Sequence, residues 1–200
     1  MGRFSAALLT ALSAALALAP HTAEAQECPN AQTSRDGFVV ERGSAARSEI
    51  LRDGANVRSI YRVSGTVLLE TTQFEGLFEL ERLDRGRRSS FKPKSELARL
   101  FPLKVGQRSL VEFESNLAGM PPAKRTIGLR VIGTDELYLG KCKYKVLKIE
   151  RSQSQGEAPP IFIDFEYYAP DLKLVIAKEF KERNGQTTMN KFDKIYPVRN

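Results

Sequence analysis

The chain has 200 residues, with 31 Lys and Arg against 24 Asp and Glu, for a net charge of +7. That length is about one domain, and 42% apolar residues exclude a disordered chain. One His, two Cys and no Trp narrow the available chemistry further.

The N-terminus reads as a secretory signal. Met1-Gly2-Arg3 is a short basic start, Phe4 to Ala19 is uncharged, and Pro20 breaks the run. Ala23-Glu24-Ala25 supplies small residues for cleavage after Ala25. A membrane anchor would need about 20 predominantly apolar residues, and no other segment spans either. Cleavage removes His21, the only histidine. The mature chain then has no Ser-His-Asp or Cys-His machinery and no histidine-based metal site. Glu27, before Cys28, is not the small or apolar residue of a lipid-attachment signal, so the exported protein is expected to be soluble.

Residues 26–34 read as a polar leader and residues 35–200 as a single β domain. Asp36-Gly37, Asp53-Gly54 and Asn184-Gly185 are turn signals. Between them lie Arg58–Val63, which alternates only loosely, Thr66–Thr72, which is β-branched and apolar, and Leu77–Leu83, a half-buried strand pattern with Glu79 and Glu81 expected on one face. Ser95–Phe101 predicts one short helix, stopped by Pro102. Val111 and Phe113, then Ile127, Leu129 and Val131, alternate with polar residues. Ile161, Ile163, Phe165 and Tyr167 share a face opposite Asp164 and Glu166. Asn184-Gly185 predicts a two-residue hairpin turn, setting Phe180 opposite Met189, Leu174 opposite Ile195 and Lys178 opposite Lys191. Long helical patterns are absent, so the expectation is a mainly antiparallel all-β barrel or half-barrel.

Several motifs bear on chemistry. Cys28 and Cys142, an even count in an oxidising compartment, predict a disulfide. The alternatives are two separate thiols, or a redox pair without the Cys-x-x-Cys spacing. Ser89-Ser90-Phe91-Lys92 fits Ser-x-x-Lys but lacks its companion elements and a helix start. Glu79 with Glu81, Glu112 with Glu114, and Asp164 with Glu166 are paired carboxylates, expected to be an ordinary solvated sheet face. Asp164 and Glu166 stand apart because aromatic residues surround them in the chain. Arg82, Arg85, Arg87, Arg88, Lys92 and Lys94 form a basic cluster that Gly86 and Pro93 mark as a loop. Lys141, Lys143 and Lys145 form a second stripe opposite Cys142, Tyr144 and Val146, extended by Lys148 and Arg151. The plain reading of both is solvated turns and a lysine-blunted edge. The functional one is a patch for an anionic partner. No phosphate-cradling loop, calcium loop or nucleic-acid motif is present.

Three stretches carry a family resemblance: Pro102-Leu103-Lys104-Val105-Gly106, Gly140–Val146, and Tyr167-Tyr168-Ala169-Pro170-Asp171-Leu172-Lys173-Leu174-Val175. Residues 101–180 thereby resemble the DUF3108 family of exported bacterial proteins, which has no established activity. Lys173 stands where that family usually has Gly. The resemblance implies a periplasmic antiparallel barrel or half-barrel and no particular site residues.

The expected function is non-catalytic: a periplasmic or secreted β-barrel-like protein holding an apolar or anionic envelope ligand, with lipid, glycan and envelope protein as partner classes. No cofactor, metal, catalytic residue or nucleic-acid partner is expected. Phe113, Leu129, Phe165 and Tyr167 are the candidate cavity lining, with the basic cluster near its mouth. The alternative is an envelope adaptor with a filled core. The third reading is a glycan hydrolase using two carboxylates across a cleft.

Overall fold

The computed structural model describes residues 27–156, 158–160, 162–181 and 185–198. The signal segment, Ile161 and Asn184 lie outside them. Thirteen strands form one antiparallel sheet. They are β1 (Phe38–Arg42), β2 (Ala46–Asp53), β3 (Asn56–Val63), β4 (Thr66–Phe74), β5 (Phe78–Asp84), β6 (Arg87–Pro93), β7 (Arg108–Asn116), β8 (Ala123–Leu139), β9 (Cys142–Gln155), β10 (Phe162–Ala169), β11 (Leu174–Lys181), β12 (Thr187–Lys191) and β13 (Lys194–Pro197). The only helical pieces among the described residues are short 3-10 turns at Thr33–Asp36 and Leu97–Leu100, the second inside the predicted Ser95–Phe101 segment. The all-β, half-barrel-like expectation holds.

Strands β1 to β12 pair in chain order, but β13 pairs with β1 at the far edge. Laid flat at about 4.8 Å per strand, the sheet would be roughly 55–60 Å wide. Only Phe192 and Asp193 join β12 to β13, and that link spans at most about 11 Å. The sheet must therefore curl until its edges nearly meet, although no ladder closes it. At the seam, Phe192 N–H donates to Ile176 O at 3.4 Å and Asp193 N–H to Glu41 O at 2.8 Å. The predicted final hairpin is accordingly cut in two. Ile195 pairs with Val40 rather than Leu174. The β11–β12 ladder ends at Lys181–Thr187, which sets Phe180 opposite Thr188 and Lys178 opposite Asn190. This register separates Lys178 from Lys191.

Turns of an antiparallel meander alternate between two rims. Those after odd-numbered strands form one rim, called the upper here, and those after even-numbered strands the lower. The lower rim is locked. Gly76, at φ +65°, lies so close to the β10–β11 turn that a Cβ there would sit 1.6 Å from Lys173 O. Around it, Tyr168 OH donates to Glu75 O at 2.8 Å and Lys173 Nζ pairs with Glu75 at 2.8 Å. Two apolar clusters fill the interior. One centres on Phe78, Phe113, Leu129 and Ile149, the other on Phe38, Ile50, Leu172 and Ile176.

Strands β8 and β9 are the longest, at 17 and 14 residues. Their ladder bulges between Val131 and Gly133. Their tip reaches the seam, where Lys191 Nζ donates to Tyr138 O at 3.1 Å. Cys142 at this tip forms the disulfide with Cys28, with Cα atoms 5.5 Å apart. Tyr144 OH donates to Pro29 O at 3.0 Å. The leader is thus packed against the tip. The disulfide itself suits an oxidising compartment.

Candidate binding site

The curled sheet encloses a cavity of about 380 Å³. Its floor, towards the lower rim, is Gly76, Leu77, Leu174 and Val175, with Phe91, Phe113 and Ile127 on the wall. Seven charged residues also line it: Glu79, Arg82, Arg125, Arg151, Asp164, Glu166 and Lys178. Arg82, Arg125, Asp164 and Lys178 each stand within three residues of an upper-rim strand end, so the cavity grows polar towards that rim.

Each charged side chain enters for a local reason. In β8, Arg125 is in phase with Ile127, Leu129 and Val131, whose side chains are buried. In β9, Arg151 and Gln153 continue the phase of Leu147 and Ile149. In β11 a bulge leaves Ile176 unpaired, so Lys178, opposite Glu166, shares the face of Val175, opposite Tyr168. Strand β5 also uses a bulge. Its ladder with β4 shifts between Thr72 and Gln73, leaving Leu80 unpaired. Positions three apart on a regular strand face opposite ways. The bulge brings Glu79 and Arg82 together, and Arg82 grips Glu79 through two hydrogen bonds of 2.9 Å. Glu81 stays exposed, so the two glutamates do not share an environment as the alternation predicts.

Asp164 and Glu166 correct the expectation of a solvated face: they are 1% and 2% exposed. Asp164 lies opposite Arg151 across β9, and Glu166 opposite Lys178 across β11. Glu166 takes nearly all the compensation. Lys178 Nζ donates to Oε1 at 2.5 Å and Arg151 Nη1 to Oε2 at 3.2 Å. Arg151 also donates to Leu77 O at 3.0 Å. Asp164 keeps only Lys178 at 3.8 Å, and neither of its carboxyl oxygens has a hydrogen-bond partner. The protonation behaviour divides accordingly. Burial, then the charge of Glu166, pushes the Asp164 carboxyl above its ordinary value. Burial also pushes Glu166 up, but Arg151 and Lys178 together prevail and hold it low.

Among the cations on the cavity wall, Arg125 is the one without an ion pair. It bonds Gln153 Oε1, and its guanidinium lies 5.0 Å from the Phe91 ring centroid. Its Nε is buried with no partner. Burial and the nearby Arg151 charge hold it below the usual guanidinium value. The wall carries four cations against three carboxylates. Once the internal pairs are made, Arg125 and Asp164 are left over.

Of the candidate cavity lining and the first basic cluster, Phe113 and Arg82 line the cavity, as do Glu79, Arg151, Asp164 and Glu166. Leu129 is buried in the apolar cluster beside it. Phe165 and Tyr167 lie on the opposite face of β10, where Lys148 stacks 4.9 Å and 5.1 Å from their rings. Tyr167 OH donates to Glu179 at 2.6 Å. The segment read as a basic loop is the β5–β6 hairpin, with Arg85-Gly86 as its turn and Arg87–Pro93 as a strand. Its strand geometry also takes Ser89 and Lys92 out of the helical setting that Ser-x-x-Lys chemistry needs. Arg85, Arg87, Arg88, Lys92 and Lys94 are exposed. Lys141, Lys143 and Lys145 alternate with buried Cys142, Tyr144 and Val146. Their turn follows β8, so they sit towards the lower rim and the hairpin turn at the upper: the two basic clusters do not converge. Glu112 and Glu114 are surface residues paired with Lys124 and Lys94. Arg125, Gln153 and Lys178 are not among the site residues that the sequence suggests. Arg125 and Gln153 give one signal, a polar residue in phase with an apolar strand face.

No family model matches the chain, so the resemblance to the DUF3108 family rests on its three short motifs. No curated protein matches either. Among solved structures, the fold is similar to that of the hypothetical lipoprotein YmcC from Escherichia coli (K12), with a TM-score of 0.51 and 9% identity, covering 84% of this chain and 92% of that one. At that identity the likeness is one of fold.

Proposed function

We propose that this chain is an exported, non-catalytic envelope protein that holds a small anionic ligand in the cavity of its curled sheet. Arg125 carries the reading. A half-buried guanidinium with an unmet buried N–H and no carboxylate partner is costly unless something anionic meets it, and Arg125 is held in place by Gln153 and Phe91. The size agrees, since small-molecule pockets span about 300–1,000 Å³. Export is supported by the N-terminal signal pattern and by the Cys28–Cys142 disulfide, and the motifs similar to the DUF3108 family point the same way. Catalysis by two carboxylates is disfavoured because Glu79 is held by Arg82 and Glu166 by Arg151 and Lys178. A glycosidase pair needs both carboxyls free to act on substrate.

The adaptor reading has one observation of its own. Leu110, 79% exposed, stands on the outer face of β7 beside a notch at Gly128. The two readings separate by native mass spectrometry of protein purified from the periplasm, joined to calorimetric titration with phosphate and acetate. Retained mass or measurable anion binding, lost in Arg125→Gln, supports the cavity. A bare polypeptide mass with no anion binding overturns it and favours the adaptor.

A further inference from the structure

Two groups on the cavity wall keep buried polar atoms without a hydrogen-bond partner, and they are of opposite kind. Arg125 offers a buried donor, and Asp164 offers two buried acceptor oxygens. Resting on the anion-binding reading above, we infer that the ligand is a small polyhydroxylated acid, a sugar-sized molecule carrying one carboxylate or phosphate, whose anionic group meets Arg125 and whose hydroxyl donates to Asp164.

Alternative ligands each leave something unmet. A bare anion satisfies Arg125 and abandons a carboxyl that is 1% exposed. A hydrocarbon satisfies neither group, and leaving both buried without partners is expensive. An amine suits Asp164 but meets a wall with a surplus of cations. A hydroxylated acid matches both at once. The rest of the wall fits the same chemistry. Gln153 gives its carbonyl to Arg125, which leaves its amide N–H₂ to donate. Thr71 adds a hydroxyl, and Phe91 and Phe113 add apolar aromatic surface to the wall. Arg125 is positioned before any ligand arrives, so little ordering is required on binding.

The test is calorimetric titration of the oxidised mature protein with four probes: glucuronate, glucose 6-phosphate, glucose and cyclohexanecarboxylate. The two hydroxylated acids are expected to bind about ten- to a hundred-fold tighter than either control, the range one charge-assisted hydrogen bond supplies. The tighter of the two identifies the anionic group. In Asp164→Leu, an apolar replacement of similar shape, that advantage should vanish while cyclohexanecarboxylate binding persists. Equal binding of cyclohexanecarboxylate and glucuronate to the wild type would leave the anion site standing and overturn the hydroxylated ligand. So would an advantage that survives Asp164→Leu in a folded variant. If the variant does not fold, the four wild-type affinities alone decide. Failure of every anion to bind the wild type would overturn both readings together.

Discussion

Asp164 and Glu166 share a strand face and a degree of burial, yet their ionisation shifts run in opposite directions, because Glu166 collects the hydrogen bonds of both cations. The consequences for stability have opposite signs. Asp164 has a raised folded pKa. Its carboxyl favours the folded state below the ordinary value of about 3.9, and that advantage is lost as pH rises through the raised value. Asp164→Asn removes the cost of a buried, unmet charge, so the variant should be more stable than wild type at pH 7. The gap should close as pH falls below about 4, as urea titrations at several pH values would show. Glu166 has a lowered folded pKa. Its contribution is present above the ordinary value of about 4.3 and is lost as pH falls through the folded value. Glu166→Gln leaves Arg151 and Lys178 without their shared anion. It should cost about 3–5 kcal/mol at neutral pH, as removing one member of a buried pair does. That cost should shrink on acidification, measured in the same titrations.

Element by element, the strands follow the alternation of the sequence closely, and the interruptions in that alternation place the site. Period 2 locates β5, β7 and β8, a β-branched apolar run locates β4, and the Lys141–Val146 alternation gives the outer and inner faces of the β9 tip directly. The bulges are not legible. Nothing in Phe78-Glu79-Leu80-Glu81-Arg82 announces that Leu80 drops out of the ladder, because a bulge is decided by how two strands match across the sheet. The inward charges are illegible for a related reason: a polar residue in phase with an apolar face reads as the end of the face, and only the curl of the whole sheet makes it a wall. The turns are more decisive. Gly76→Ala would drive a methyl group into Lys173 O and require a left-handed conformation. A loss of roughly 3 kcal/mol or more is expected by thermal or denaturant unfolding, with the cavity floor disrupted. Cys28→Ser opens a loop with a sequence separation of 114. It should lower stability by up to about 4–5 kcal/mol, and dithiothreitol should reproduce that loss in the wild type but add nothing in the variant.

Across the whole molecule, the surplus of positive charge is divided between rims, and only the upper one adjoins the polar part of the cavity. Replacing Arg85, Arg87 and Arg88 together by Ser should leave stability within about 0.5 kcal/mol per site, since all three are exposed. It should slow the association of an anionic ligand and weaken its dependence on salt, as stopped-flow mixing at two ionic strengths would show. The placement of β13 has a consequence in time. Phe38–Glu41 finds its second neighbour only in Lys194–Pro197, so β1 stays a free edge until those residues have appeared. A chain emerging N-terminus first can zip successive hairpins as it comes, but it cannot fasten its two borders to each other. Removing residues 194–200 would make that interim form permanent, and its bare edge should recruit other copies into aggregates visible by light scattering. The final strand is a clasp, and the chain stays unfastened while any of it is still to arrive.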